Sequence, residues 1–275
     1  MNETNELYIA LRAAVDAGQV IMDIYQSPVS DFGVESKADN SPLTKADKAS
    51  HKLIEERLSA TPYPILSEEG QHLPFEERSL WKAFWLVDPL DGTKEFIKKN
   101  GEFTVNIALV REGVPVMGVV YIPVLKELYF STDALGAYKL TLTDGDECLS
   151  SMETTLEAST RLPMHMERED IVVVASRSHC SEETMAFIDD LKRFERPVTL
   201  VSSGSSRKIC LVAEGSADVY PRFAPTMEWD TAAGHAVARG ARCDVFHTDG
   251  KTPLTYNKED LHNPWFIVKP YSSEY

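Results

Sequence analysis

The sequence is short of paired cysteines, of positive charge and of long apolar runs, and each shortage excludes a class of protein. Its four cysteines, Cys148, Cys180, Cys210 and Cys243, form no C-x-x-C pair and no Cys/His cluster, so reduced structural thiols are expected in place of a zinc site or redox motif. Lys and Arg total 28 against 43 Asp and Glu, giving a formal net charge of −15 and a pI near 4.9. A surface of that sign repels nucleic acid and anionic membranes at long range and attracts cations. No apolar run approaches the roughly 20 residues needed to span a bilayer, and MNETNELYIALRAAV carries acids where a secretory signal needs bases. A cytoplasmic protein with no transmembrane segment and no nucleic-acid partner is expected. P-loop, G-x-S-x-G and C-x₅-R signatures are also missing, so phosphate chemistry, if present, does not run through those loops.

What is present is an ordinary globular composition, 43% hydrophobic and 26% charged over 275 residues. One compact unit of two packed halves is expected, residues 1–155 and 156–275, joined in the polar stretch Thr143 to Arg168. From Asn5 to Tyr25, Leu7, Leu11, Ala14, Val15, Ile21 and Met22 recur at spacings of three and four, which predicts an amphipathic helix capped by Asn5 or Thr4. A second helix begins near Thr44, with Ala49, Leu53 and Ile54 on its buried side. Short β-like runs follow between Pro64 and Leu140, with Glu112-Gly113 the clearest turn, and predict a mainly antiparallel sheet. The second half alternates: strand Ile171 to Ala175, helix capped by Ser181, strand Val198 to Val201, helix Ser205 to Glu214, strand Asp218 to Arg222, helix Trp229 to Arg239 ended by Gly240. The fold class is therefore α/β, an α+β first half and an α/β second half in layers.

Four acidic elements carry the chemistry. In WLVDPLDGTKEF a strand runs into Asp88, Pro89 prevents helical continuation, and Asp91 follows three residues on, where a sharp loop can aim both carboxylates at one point. Two hard oxygen anions so placed suit Mg²⁺, and Gly92 and Thr93 then open a short helix whose N–H groups can receive phosphate. Read alone, Asp91 is equally a helix N-cap. In ILSEEG a strand ends in the adjacent acids Glu68 and Glu69, an exposed loop or part of a metal site. Thr44-Lys45-Ala46-Asp47 fits a capping box, Thr44 at the cap and Asp47 reaching back. In EWDTAAGHAV, Asp230 lies in the first turn of a helix whose Ala232, Ala233 and Gly234 allow close packing.

Taken together and in order, T-x-x-D, S-E-E, D-P-x-D-G-T and W-D-x-A-A-G resemble the inositol monophosphatase superfamily of lithium-sensitive Mg²⁺ phosphatases, over about Leu7 to Val268. SKADNSPLTKAD, VDPLDGTKEFIKKNGEFTVNIALV, ASRSH and GSSRKICLVAEGSADVYPRF look most like its bacterial 3′(2′),5′-bisphosphate nucleotidase branch, from which Arg207 departs where an apolar residue is usual. The resemblance implies a layered α-β-α-β-α sugar-phosphatase-like fold and two or three Mg²⁺ ions. It makes Glu68, Asp88, Asp91, Asp230 and the Leu90 carbonyl metal ligands, places Glu69 behind them, and gives Asp47 and Thr93 the attacking water. The expected small-molecule substrate is adenosine 3′,5′-bisphosphate, with Glu68, Leu90, Asp91, Gly92, Thr93 and Asp230 around the cleaved phosphate. Ser176, Arg177, His179, Gly204, Ser205, Ser206 and Lys208 would hold the nucleotide, and Li⁺ would inhibit. The same resemblance leaves room for peripheral association with the inner membrane. Competing readings are a phosphatase of inositol monophosphate or fructose 1,6-bisphosphate and, from another class, a non-catalytic nucleotide-binding protein. Arg177 and Lys208 favour a second substrate phosphate over the first, and the pair Asp47 and Thr93 speaks against the second, since binding alone needs no water-activating group.

Overall fold

The computed structural model describes residues 2–27, 32–37, 41–71, 73–143, 147–164, 166, 168–175 and 181–274. Helix α1 (Glu3–Tyr25) has the expected apolar face, but its cap is Asn2, whose side chain accepts the Asn5 N–H. The predicted caps Asn5 and Thr4 fall inside the helix. After the short antiparallel pair β1 (Glu35–Ser36) and β2 (Pro42–Leu43), helix α2 (Lys45–Leu58) starts from the Thr44–Asp47 capping box and buries Ala46, Asp47, Ser50, Ile54 and Leu58. Ala49 and Leu53 are only half-buried.

A seven-stranded sheet follows: β3 (Ile65–Ser67), β4 (Ala83–Asp91), β5 (Thr104–Arg111), β6 (Val114–Ile122), β7 (Glu127–Thr132), β8 (Gly136–Thr141) and β9 (Thr160–Arg161), neighbours in that order. Every pair is antiparallel except β3 with β4. Helices α3 (Phe75–Arg78), α4 (Thr93–Ile97) and α5 (Met152–Glu157) lie between strands. Successive residues of a strand face opposite ways, and β4 shows the result: Trp85 and Val87 join α1 and α2 in one core, while Phe84 and Leu86 join a second core on the other face.

That second core is closed by helices α7 (Arg207–Glu214) and α8 (Glu228–Gly240). Beyond them lie β10 (Ile171–Ala175), β11 (Val198–Ser202), β12 (Tyr220–Arg222), β13 (Cys243–His247) and β14 (Phe266–Pro270), with β10 and β11 parallel and β12, β14 and β13 antiparallel neighbours. A parallel bridge from Val173 to Val219 joins the two groups. Ile171, Val173, Val219 and Ile267 then pack against α6 (Glu182–Asp190), capped by Ser181 as its sequence predicts. Helices, sheet, helices, sheet, helix is the expected five-layer order. Several boundaries differ: α7 begins at Arg207, after Ser205 turns to φ +47°, β11 runs on to Ser202, β12 begins at Tyr220, two residues later than expected, and α8 begins at Glu228 and takes in Gly240, its expected stop. Among the described residues no helix is long and apolar enough to cross a membrane.

The small residues of α8 serve the close packing their sequence suggests. A Cβ built on Gly118 of β6 would stand 2.2 Å from the Ala233 carbonyl oxygen and 2.8 Å from the Ala236 Cβ. One on Gly234 would stand 3.0 Å from Ile209 of α7. The helix thus lies directly on strand backbone. Gly118→Ala is expected to destabilise the protein by about 1–3 kcal/mol, because the atom in the way is a backbone carbonyl that cannot turn aside. Chemical denaturation measures this, and an unchanged midpoint would show that α8 shifts freely.

Candidate active site

Asp88 and Asp91 reach the same region without the loop expected between them. The ladder from β4 to β5 pairs Asp88 with Asn106 and resumes at Asp91 with Thr104, so the strand carries an irregularity at Pro89-Leu90 that re-aims its side chains. The Ser50 hydroxyl donates to the Pro89 carbonyl at 2.7 Å, and the Asp88 Oδ1 accepts the Leu90 N–H at 3.0 Å. Gly92 turns the chain into α4 at φ +97°, where a side chain would be strained and would press on the Glu102 carbonyl at 3.0 Å.

Asp47 does two things at once. Its Oδ2 accepts the Thr44 N–H at 2.7 Å, completing the capping box, and its Oδ1 accepts the Thr93 hydroxyl at 3.0 Å. Capping and a place beside Thr93 were alternatives in the sequence; the two oxygens of one carboxylate provide both contacts. The Thr93 Oγ1 also lies 3.4 Å from the Leu90 carbonyl oxygen. Burial raises the pKa of Asp47, against the Thr44 and Thr93 hydrogen bonds that lower it.

Asp230 arrives from α8, its Oδ2 accepting the Met227 N–H at 2.9 Å, and Asp91 Oδ2 accepts the Ser206 N–H at 2.6 Å. Glu68 Oε1 is 2.6 Å from the Lys37 ammonium, which also bonds Glu69. The acids crowd one another. Asp88 is pushed well above the usual carboxylate range by burial and then by the charges of Glu68, Asp91 and Asp230. Asp230 is raised in the same way by burial and by Asp91. Burial raises Asp91 and Glu68 too, with Lys208 and Lys37 respectively opposing it. For Lys37 burial works against the charge, yet Glu68 and Glu69 together hold its pKa above normal.

The donor set fits a hard divalent cation in kind and in charge: it is all oxygen, and its acids destabilise each other unless positive charge is supplied. It is not gathered. Among the described residues no group of three or more His, Cys, Asp or Glu side chains is arranged to hold a metal ion, and Asp88, Asp91, Asp230 and Glu68 each have an oxygen engaged by the protein itself.

Beside these acids is a cavity of about 120 Å³ lined by Asp91, Gly92, Gly204, Ser205, Ser206, Lys208 and Asp230, all foreseen, and by Glu95, Tyr220, Arg222, Thr226 and Thr231, which were not. Asp47, Glu68, Glu69, Asp88, Leu90 and Thr93 stand outside its lining. Ser176, Arg177 and His179 lie outside the described residues. Lys208 is buried, donates to the Ser205 carbonyl at 2.6 Å and lies 5.4 Å from the Tyr220 ring centre. Burial and the Arg222 charge bring its pKa down to about 8, against the pull of Asp91. Arg207 is half-buried, and its Nε is enclosed with no hydrogen-bond partner among the described residues. The signal for Arg222 was an arginine closing a short strand in YPR, and for Lys37 a lone base ahead of the first acidic motif.

Comparison with known proteins bears on the family and the fold. The family model described as the inositol monophosphatase family matches residues 2–267. The 3′(2′),5′-bisphosphate nucleotidase CysQ of Escherichia coli K12 is 46% identical over 261 residues, covering 94% of this chain and 97% of that protein. Its counterpart in Haemophilus influenzae is 37% identical, covering 94% and 90%. The crystal structure of CysQ from Bacteroides thetaiotaomicron, a bacterial member of the inositol monophosphatase family, superposes with a TM-score of 0.90 at 54% identity over 98% of this chain and 99% of that one. A Thermotoga maritima inositol monophosphatase at 22% identity and a TM-score of 0.72 shares the fold. With a match across nearly its whole length and relatives this similar, the chain belongs to the inositol monophosphatase family.

Proposed function

We propose that the protein is a Mg²⁺-dependent 3′(2′),5′-bisphosphate nucleotidase that removes the 3′-phosphate of adenosine 3′,5′-bisphosphate, and of its sulfated 5′ form, leaving the 5′-nucleotide. The observation that carries the reading is the Thr93 to Asp47 hydrogen bond beside four mutually repelling acids, in a chain so similar to proteins named as nucleotidases. Glu68, Asp88, Asp91, Asp230 and the Leu90 carbonyl would hold the ions, with Glu69 behind Glu68. Two or three bound Mg²⁺ would neutralise the phosphoryl oxygens and ease ionisation of water and departure of the leaving oxygen. Asp47 and Thr93 orient the attacking water and draw off its proton, which suits a carboxylate whose pKa burial has raised. Water then bonds to phosphorus as the bond to O3′ breaks, O3′ takes up a proton, and phosphate leaves; in-line placement is the main requirement. Gly204, Ser205, Ser206, Lys208 and Arg222 line the cavity in which the uncleaved 5′-phosphate is held, and Ser176, Arg177 and His179 belong to the same proposed nucleotide site. Li⁺ is expected to inhibit.

The test is phosphate release from adenosine 3′,5′-bisphosphate beside inositol 1-phosphate, with and without a chelator. Preference for the nucleotide and complete loss on chelation are expected; preference for inositol 1-phosphate would overturn the substrate, and activity surviving chelation the mechanism. Thr93→Ala should lower kcat by about 10²- to 10⁴-fold with little change in KM, and an unaltered kcat would remove Thr93 from the reaction. Lys208, with a pKa near 8, is charged below that pH and loses its proton above it. KM for the bisphosphate should therefore rise between pH 7 and 9.5, and Lys208→Arg should flatten the rise. A flat wild-type profile would exclude Lys208 as the titrating contact.

A further inference from the structure

We propose that Asn106 is a positioning residue that keeps Asp91 in register with the loop Gly204 to Ser206, so that divalent-ion binding at the acids and nucleotide binding at the loop are energetically coupled through its side chain. The proposal rests on the metal and nucleotide sites assigned above. Asn106 is a polar residue in the mainly apolar strand β5, 1% exposed between the core residues Val105 and Ile107. It is paired directly with Asp88 across the ladder, so the two side chains share a face of the sheet.

Its two ends have different neighbours. The Ser206 hydroxyl donates to Asn106 Oδ1 at 2.6 Å, and the Thr104 Oγ1 stands 2.8 Å from Ser206 Oγ and 3.3 Å from the same amide oxygen. A hydroxyl has one proton, so the economical arrangement is a chain in which Thr104 donates to Ser206 and Ser206 to Asn106. That chain fixes which end of the amide is oxygen. The Nδ2 is then turned toward Asp91, whose pKa it lowers, but it is buried and, among the described residues, makes no hydrogen bond of good geometry. A buried donor without a partner is costly and calls for a reason. The loop meets Asp91 from the other side, since the Ser206 N–H donates to Asp91 Oδ2 at 2.6 Å. Ser206 therefore binds Asp91 through its backbone and Asn106 through its side chain, and any movement of Asp91 onto an ion moves the loop or the amide with it. Neighbouring groups that orient a metal ligand in this way typically control affinity by about 10- to 100-fold.

Calorimetric titration with Mg²⁺ alone, followed by 5′-AMP titration with and without Mg²⁺, tests the coupling. Asn106→Leu should weaken Mg²⁺ binding by about 10-fold or more and shrink the effect of Mg²⁺ on 5′-AMP affinity. Ser206→Ala keeps the N–H on Asp91 and removes only the hydroxyl, so it should act in the same direction and less strongly. The double variant should be no worse than Asn106→Leu alone, because both changes break one chain. Wild-type Mg²⁺ affinity in Asn106→Leu, or strictly additive losses, would overturn the proposal. Should Asn106→Leu not fold, Ser206→Ala decides by itself, and wild-type values there would also overturn it. The Mg²⁺ titration needs no turnover, so an enzyme that prefers inositol 1-phosphate would sink the substrate assignment and leave this arm standing.

Discussion

The close seating of α8 on the seven-stranded sheet is the contact on which the site depends. Asp88 and Asp91 come from the sheet and Asp230 from the helix; they perturb one another, and Gly118 lets that helix rest on strand backbone. The same helix carries Thr231 into the cavity, and its first turn is gripped by Asn263, whose Nδ2 donates to the Met227 carbonyl at 2.7 Å and to the Thr231 Oγ1 at 3.0 Å.

Electrostatics then sets the character of the pocket. Acids buried side by side are raised in pKa, and the two lysines that reach them are treated in opposite ways: Lys37, paired with two glutamates, has its pKa raised, while Lys208, buried beside Arg222, has its pKa brought down to about 8 and keeps its charge below that pH. The overall excess of acid in the composition is thus partly a local property. The acids are crowded at one end of the site, and Lys208 and Arg222 stand at the other.

Much of the fold was legible because its local signals agree with its layers. The apolar face of α1, the Thr44–Asp47 box, the Ser181 cap and the short β-like runs of β4 to β8 each announce the element they form. Asn106 was hidden for a physical reason: in TVNIALV a single polar residue does not disturb the apolar run that marks a strand, although a buried amide there was itself the clue. Arg222 and Lys37 act across distances in space that no local pattern encodes. Both contacts of Asp47 were foreshadowed, but the sequence offered them as rivals, since it does not say that two oxygens of one carboxylate can point in different directions.

The glycine under α8 also bears on how such a molecule can diverge. A joint with no spare volume fixes the spacing of helix and strand, and with it the spacing of the acids they carry, whatever the rest of the chain does. Novelty in what is bound is then confined to the segments that border the cavity without entering the joint: the turn after β11, the end of β12 and the approach to α8. A lineage built on this frame can exchange one phosphate ester for another by rewriting its margins while inheriting its centre unchanged.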